Sequence, residues 1–129
     1  IIHEAQHGKL NLLMWLDPIL HNGFSDWTQS PVRPDLRPLM GVLLAVHAFV
    51  PVAAFHARLL EQDHPLTQTR RFQERRREVL SGNSRGLQIV RDRAKPTAMG
   101  ERVLDGLASL HGALVAGVDG LEPVELPPG

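Results

Sequence analysis

Apolar positions along this chain recur at helical spacings, and no stretch alternates with the period of a strand. In the first segment, Ile1 to about Leu16, residues Leu10, Leu13 and Met14 follow His3, His7 and Lys9 three and four positions apart. This predicts a helix that Pro18 stops or kinks. His21 to Leu36 carries Asn22, Gly23, Ser25, Ser30, Pro31, Pro34 and Asp35 and reads as loop. Pro38 suits the first turn of a second helix, which runs to about Gln62 and is expected to bend at Pro51. His64-Pro65 breaks the chain, and Thr67 is placed to cap a third helix rich in arginine. Ser81-Gly82-Asn83 is expected to end or bend that helix before Leu87, Ile89 and Val90 resume the apolar pattern. Pro96-Thr97 opens a fourth, apolar at Val103, Leu104, Leu107, Leu110 and Leu114. The expectation is an all-α chain of about four helices.

One short run changes this picture from fold to chemistry. His3-Glu4-Ala5-Gln6-His7 places two imidazoles one helical turn apart, close enough to converge on one divalent ion. Glu4 then lies beside the metal-bound water or substrate, where it acts as a base or orients a ligand. With 7 histidines in 129 residues and as many glutamates, chance supplies the pattern about 0.02 times. The plain alternative is a solvated helix with two surface histidines. Ile1-Ile2 before the motif and Leu10 to Leu16 after it argue against full exposure. The motif stands two residues from the start of the chain, where nothing upstream supports its first turn. Residues 1–129 are therefore expected to form a single helical metal-binding domain, the C-terminal part of a longer protein.

Composition narrows the chemistry. Cysteine is absent, which removes thiolate sites and leaves His, Asp, Glu and water as donors. That set suits zinc, iron, manganese or nickel. Lack of cysteine also fits a reducing cytoplasm, the expected location. Fourteen basic residues balance fourteen acidic ones, so charge gives no argument for nucleic acid or an anionic membrane as a partner. The apolar run Leu39 to Phe55 holds His47 and Pro51 and sits at the lower length limit for a bilayer span. It is expected to be a buried helix of a soluble domain.

The third metal ligand decides the class. A metzincin needs Gly and His where Leu10 and Leu13 stand. A thermolysin-type zinc site takes a Glu from a second helix, but after Glu4 the next is Glu61. There is no tyrosine to donate to an oxyanion. His47, amid Leu43, Leu44 and Val50, is the best remaining candidate for a ligand or site wall; its bland reading is a core histidine bonded to a backbone carbonyl. His56 lies nine residues on, about half a turn round, so the two do not face one ion from a straight helix. His21, His56, His64 and His111 are read as structural or exposed. Trp15 and Trp27 suit either the wall of a peptide groove or, as is commoner for tryptophan, anchors in the core, and neither is assigned a role.

Three blocks carry a likeness to a known family: His3-Glu4-Ala5-Gln6-His7-Gly8-Lys9-Leu10-Asn11, then Trp27 with Arg33-Pro34-Asp35-Leu36-Arg37-Pro38-Leu39, then Gly41-Val42-Leu43-Leu44-Ala45-Val46-His47-Ala48-Phe49. They resemble the HExxH-motif peptide-modification proteins, also described as 2-oxoglutarate-dependent HExxH-type peptide β-hydroxylases. Thr97 to Leu107 is similar to that family's closing helix. The resemblance implies an iron(II) oxygenase that uses 2-oxoglutarate and O₂ to hydroxylate a ribosomally made precursor peptide. It implies His3, His7 and His47 as iron ligands, a three-histidine variant of the two-histidine-one-carboxylate face. It further implies Arg37 first, and Arg33 second, as the guanidinium for the distal carboxylate of 2-oxoglutarate. Two rivals stand beside it. One is a zinc metallopeptidase with Glu4 polarising water. The other is a non-enzymatic helical module whose Arg70 to Arg77 face binds an acidic peptide or RNA; those arginines are expected to pair locally with Glu74 and Glu78.

Overall fold

The computed structural model describes residues 27–29 and 36–125. The first predicted helix, His3, Glu4, His7, Trp15, His21 and Arg33 lie outside the described residues.

The described part is all-α. A short antiparallel ribbon precedes three long helices: β1 (Trp27–Gln29), β2 (Leu36–Pro38), α1 (Leu39–Glu61), α2 (Arg70–Arg93) and α3 (Ala98–Val115). In the ribbon Trp27 pairs with Pro38, Thr28 with Arg37 and Gln29 with Leu36. At residues 27–29 and 36 this corrects the loop expected over residues 21–36. Pro38 closes β2 rather than lying in the first turn of α1, as a residue without an amide to donate can at a strand end.

Helix α1 runs unbroken through Pro51 for 23 residues, about 35 Å at 1.5 Å per residue. Pro51 cannot donate to the carbonyl of His47, the partner an α-helix would use. The helix is long and apolar enough to cross a membrane, and 44% of that apolar window is buried against the rest of the chain. Leu39, Leu43, Val46 and Val50 are buried on one face, and Ala48, about half a turn round from them, is buried as well. Burial on opposite sides is how a helix packs inside a core.

A 3₁₀ turn, Pro65–Gln68, joins α1 to α2. Nδ1 of His64 accepts from the amide of Leu66 at 3.1 Å, and Thr67 Oγ1 donates to the His64 carbonyl at 2.7 Å. Thr69, not Thr67, caps α2: its Oγ1 accepts from the Phe72 amide at 3.2 Å. The 3₁₀ turn occupies the two residues by which that expectation missed. Thr97 caps α3 in the same way, accepting from Gly100 at 3.1 Å.

Helix α2 also passes straight through Ser81-Gly82-Asn83, where a break was expected. A mid-helix glycine costs about 1 kcal/mol. Continuing the helix buries Val79 and Leu80 on one side of Gly82 and Leu87 and Val90 on the other, which is worth several times as much at about 1.5–3 kcal/mol each. Helices α1 and α2 share the largest interface of the fold.

The core has two parts. The larger joins Leu39, Met40, Val42, Leu43, Val46 and Val50 of α1 to Leu87 and Val90 of α2, Leu104 and Leu107 of α3, and Val124 of the following segment. The smaller joins Ala53, Val79, Leu80 and Val115. After α3 the chain turns back through Gly117 and Gly120, with φ of 77° and 80°. Arg77 Nη2 holds this turn by donating to the Asp119 carbonyl at 2.9 Å. A Cβ on Gly120 would come within 3.2 Å of that Nη2, which would have to give way by a few tenths of an ångström, and the positive φ itself strains any side chain there.

Candidate functional site

Of the six residues expected to build the metal and 2-oxoglutarate site, the described residues include His47 and Arg37. Arg37 sits in β2 opposite Thr28, two residues before α1 begins. His47 is half-buried on α1, eight residues in, or about 12 Å along the axis. Its helical neighbours Met40, Leu43 and Val50 are buried, so the ring stands at the edge of an apolar surface. Among the described residues no group of three or more His, Asp or Glu is placed to hold a metal ion.

His56 faces a different surface. Its ring packs edge-on against Phe72 of α2, with centroids 5.2 Å apart. Burial, and then the charges of Arg75 and Arg76, lower its pKa below the ordinary 6.5. This ring belongs to the α1–α2 interface, about half a turn from His47. His64 serves as a cap.

His111 shows a pairing that the sequence does not signal. Its ring is fully buried on α3, and Nε2 lies 2.8 Å from Ser84 Oγ of α2. Nδ1 is buried without a hydrogen-bond partner. An orphaned N–H is costlier than an orphaned ring nitrogen lone pair, so the favoured tautomer puts the proton on Nε2, donating to Ser84. A serine and a histidine at this distance resemble a nucleophile and its base. Yet Ser84 is 8% exposed and His111 0%, and among the described residues no carboxylate orients Nδ1. The pair ties α2 to α3 inside the core.

Burial lowers the His111 pKa from 6.5. Above that value the imidazole is neutral both folded and unfolded. As pH falls below it, the unfolded chain takes up the proton first, and stability is lost progressively down to the folded-state pKa. His56 acts in the same direction. The denaturation midpoint is accordingly expected to drop between about pH 7.5 and about pH 5.5, and to drop less in His111→Asn. Equal slopes for the two proteins would show that another group carries the effect.

Asn83 is a second buried polar group. It is 2% exposed in mid-α2, and among the described residues its Nδ2 has no hydrogen-bond partner. Leaving a buried donor unmet costs about 1–3 kcal/mol. Asn83→Leu, close in volume, is expected to unfold at the same urea concentration or at a higher one, by up to about 1 kcal/mol. A clear loss of stability would mean that the amide is bonded after all.

Asn83 lines an open groove of about 710 Å³ between α1 and α2. Of the arginines between 70 and 77, expected to pair locally with Glu74 and Glu78, two do. Arg70 Nε meets Glu74 at 2.9 Å and Arg75 Nη1 meets Glu78 at 3.4 Å. Arg75 also lies over the Phe49 ring, 5.9 Å from its centroid. These exposed pairs add little stability. Neither a scan against protein-family models nor a comparison with curated proteins finds a match for this chain.

Proposed function

We propose that the chain is a metal-dependent peptide-modifying enzyme, an iron(II)- and 2-oxoglutarate-dependent peptide hydroxylase. One observation carries this reading: His3-Glu4-Ala5-Gln6-His7, a metal-ligand spacing that chance supplies about 0.02 times. The family resemblance of the three sequence blocks supports it. So does the half-buried His47 on α1, an imidazole at the edge of an apolar surface. A donor set of three imidazoles fits a chain with no cysteine and no carboxylate in α1 before Glu61.

In this reading His3, His7 and His47 hold the ion through neutral ring nitrogens. Bound iron with 2-oxoglutarate supplies the power to oxidise an unactivated C–H bond with O₂. Glu4, adjacent to a ligand, orients it or moves a proton beside it. Arg37, with Arg33 as the alternative, offers a fork for the distal carboxylate of 2-oxoglutarate. The apolar residues around His47 keep water away from the ion.

The test is metal analysis of the purified protein, followed by 2-oxoglutarate turnover to succinate under air and under argon. Iron, with succinate formed only in air, is the expected result. Zinc, with peptide cleavage that needs no O₂, would replace this reading with the zinc metallopeptidase.

A further inference from the structure

The hydrophobic core divides at one height, and each helix carries a break in its apolar pattern there. In α1, Val50 belongs to the larger cluster and Ala53 to the smaller, with Pro51 between them. In α2, Val79 and Leu80 belong to the smaller cluster, and Leu87 and Val90 to the larger. Gly82, Asn83 and Ser84 lie between these two pairs and are buried. In α3, Leu107 belongs to the larger cluster and Val115 to the smaller, with the buried His111 between them. Ser84 Oγ lies 2.8 Å from His111 Nε2, so α2 and α3 carry their breaks at the same height. Helix α1 joins them, since Val50 shares a cluster with Leu87 and Ala53 shares one with Leu80. A seam of polar and small residues, with one proline, therefore crosses all three helices.

Each part of the seam lowers its resistance to bending. Pro51 has no amide to donate, so the hydrogen-bond ladder of α1 loses one rung at this height. Gly82 brings no side chain to the helix contact and leaves the backbone of α2 freer. Asn83, Ser84 and His111 put polar atoms where interdigitated apolar side chains would otherwise oppose sliding. Prolines and pairs of Gly with Ser are where long helices bend, and Ser81-Gly82 is such a pair. The groove between α1 and α2 spans the seam. Ala45 and Val46 line it from one side of the seam, and Glu74, Arg75 and Val79 from the other.

We propose that this seam is a hinge. The end built from α1 after Pro51, α2 before Ser81 and the last turn of α3 swings as one body against the rest. The swing widens and narrows the α1–α2 groove, on the microsecond-to-millisecond scale of collective hinge motions. The proposal goes beyond the peptide-modifying reading and needs no bound metal.

The test is the distribution of distances between two spin labels, measured by double electron–electron resonance on the complete chain. The sequence has no cysteine. Gln73→Cys and Arg102→Cys, at exposed positions on opposite sides of the seam, therefore take up label at those two sites alone. A broad distribution is expected. Pro51→Ala restores the missing amide and puts the best helix former at the pivot. It should narrow the distribution twofold or more, with the helical circular dichroism retained. Pro123→Ala, at an exposed proline outside the helices, should leave the width unchanged. A substitution that only stabilised the fold would also leave it unchanged, because the width reports motion within the folded state. The same width in Pro51→Ala as in the labelled parent, or equal narrowing in Pro123→Ala, would overturn the proposal.

Discussion

Leu87→Ala is expected to lower the unfolding free energy by about 2–5 kcal/mol, the largest stability effect of any single truncation considered for this fold. Leu87 is 0% exposed and sits three-quarters of the way along α2. It belongs to the cluster that joins all three helices, with Leu43, Val46 and Val50 of α1 and Leu104 and Leu107 of α3. Removing its isobutyl group loses the transfer free energy of the missing atoms and leaves a cavity. The site can collapse only partly, because α2 is held on both sides of it, by Val79 and Leu80 in one core cluster and by Val90 in the other. Urea denaturation measures the loss. Leu110, on α3 and 40% exposed, is the comparison, and Leu110→Ala should cost about 0.5 kcal/mol or less. Similar losses for the two would mean that the three helices do not share one core.

The long helices were legible because each carries its own signal. Helix α1 starts after a proline and is apolar over most of its length, and α3 opens on Pro96-Thr97 with leucines three and four apart. The two strands were not legible, because three residues cannot display an alternation and their pairing depends on chain that lies between them. The continuity of α2 across Gly82 was hidden for another reason. Local propensity argues for a break there, and only burial against α1 overrides it. The capping threonine was misplaced because a 3₁₀ turn consumes Pro65 to Gln68 before α2 begins. In the candidate site, His47 was visible as a polar residue in an apolar run. Ser84 and His111 were not, since nothing local pairs residues 27 positions apart. Asn83 had a weak signal, an amide in mid-helix beside Gly82 and Ser84, and it was read as a helix stop instead of a buried donor.

Loss of one imidazole from the proposed ion site carries the largest expected effect on activity. His3→Ala is expected to reduce metal content and succinate formation by about 100-fold or more, since even residues behind the ligands commonly cost 10–100-fold. His47→Ala is expected to do the same, and it is the sharper experiment because a rival role for this residue exists. If His47 only fills space beside Met40 and Leu43, its removal would lower stability and leave metal content per folded molecule unchanged. A ligand role predicts the reverse weighting, with metal lost from protein that still shows its helical circular dichroism. His56→Ala supplies the control from the same helix. That ring packs on Phe72, so its loss should cost stability and leave iron bound. Added imidazole offers a further discrimination, because an exogenous ring can occupy the vacant position at a ligand site but cannot restore packing. Recovery of turnover by imidazole in His47→Ala, and not in His56→Ala, would tie α1 to the ion. Equal metal content in all three variants would remove His47 from the ligand set. A full complement of iron in His3→Ala would remove the site itself.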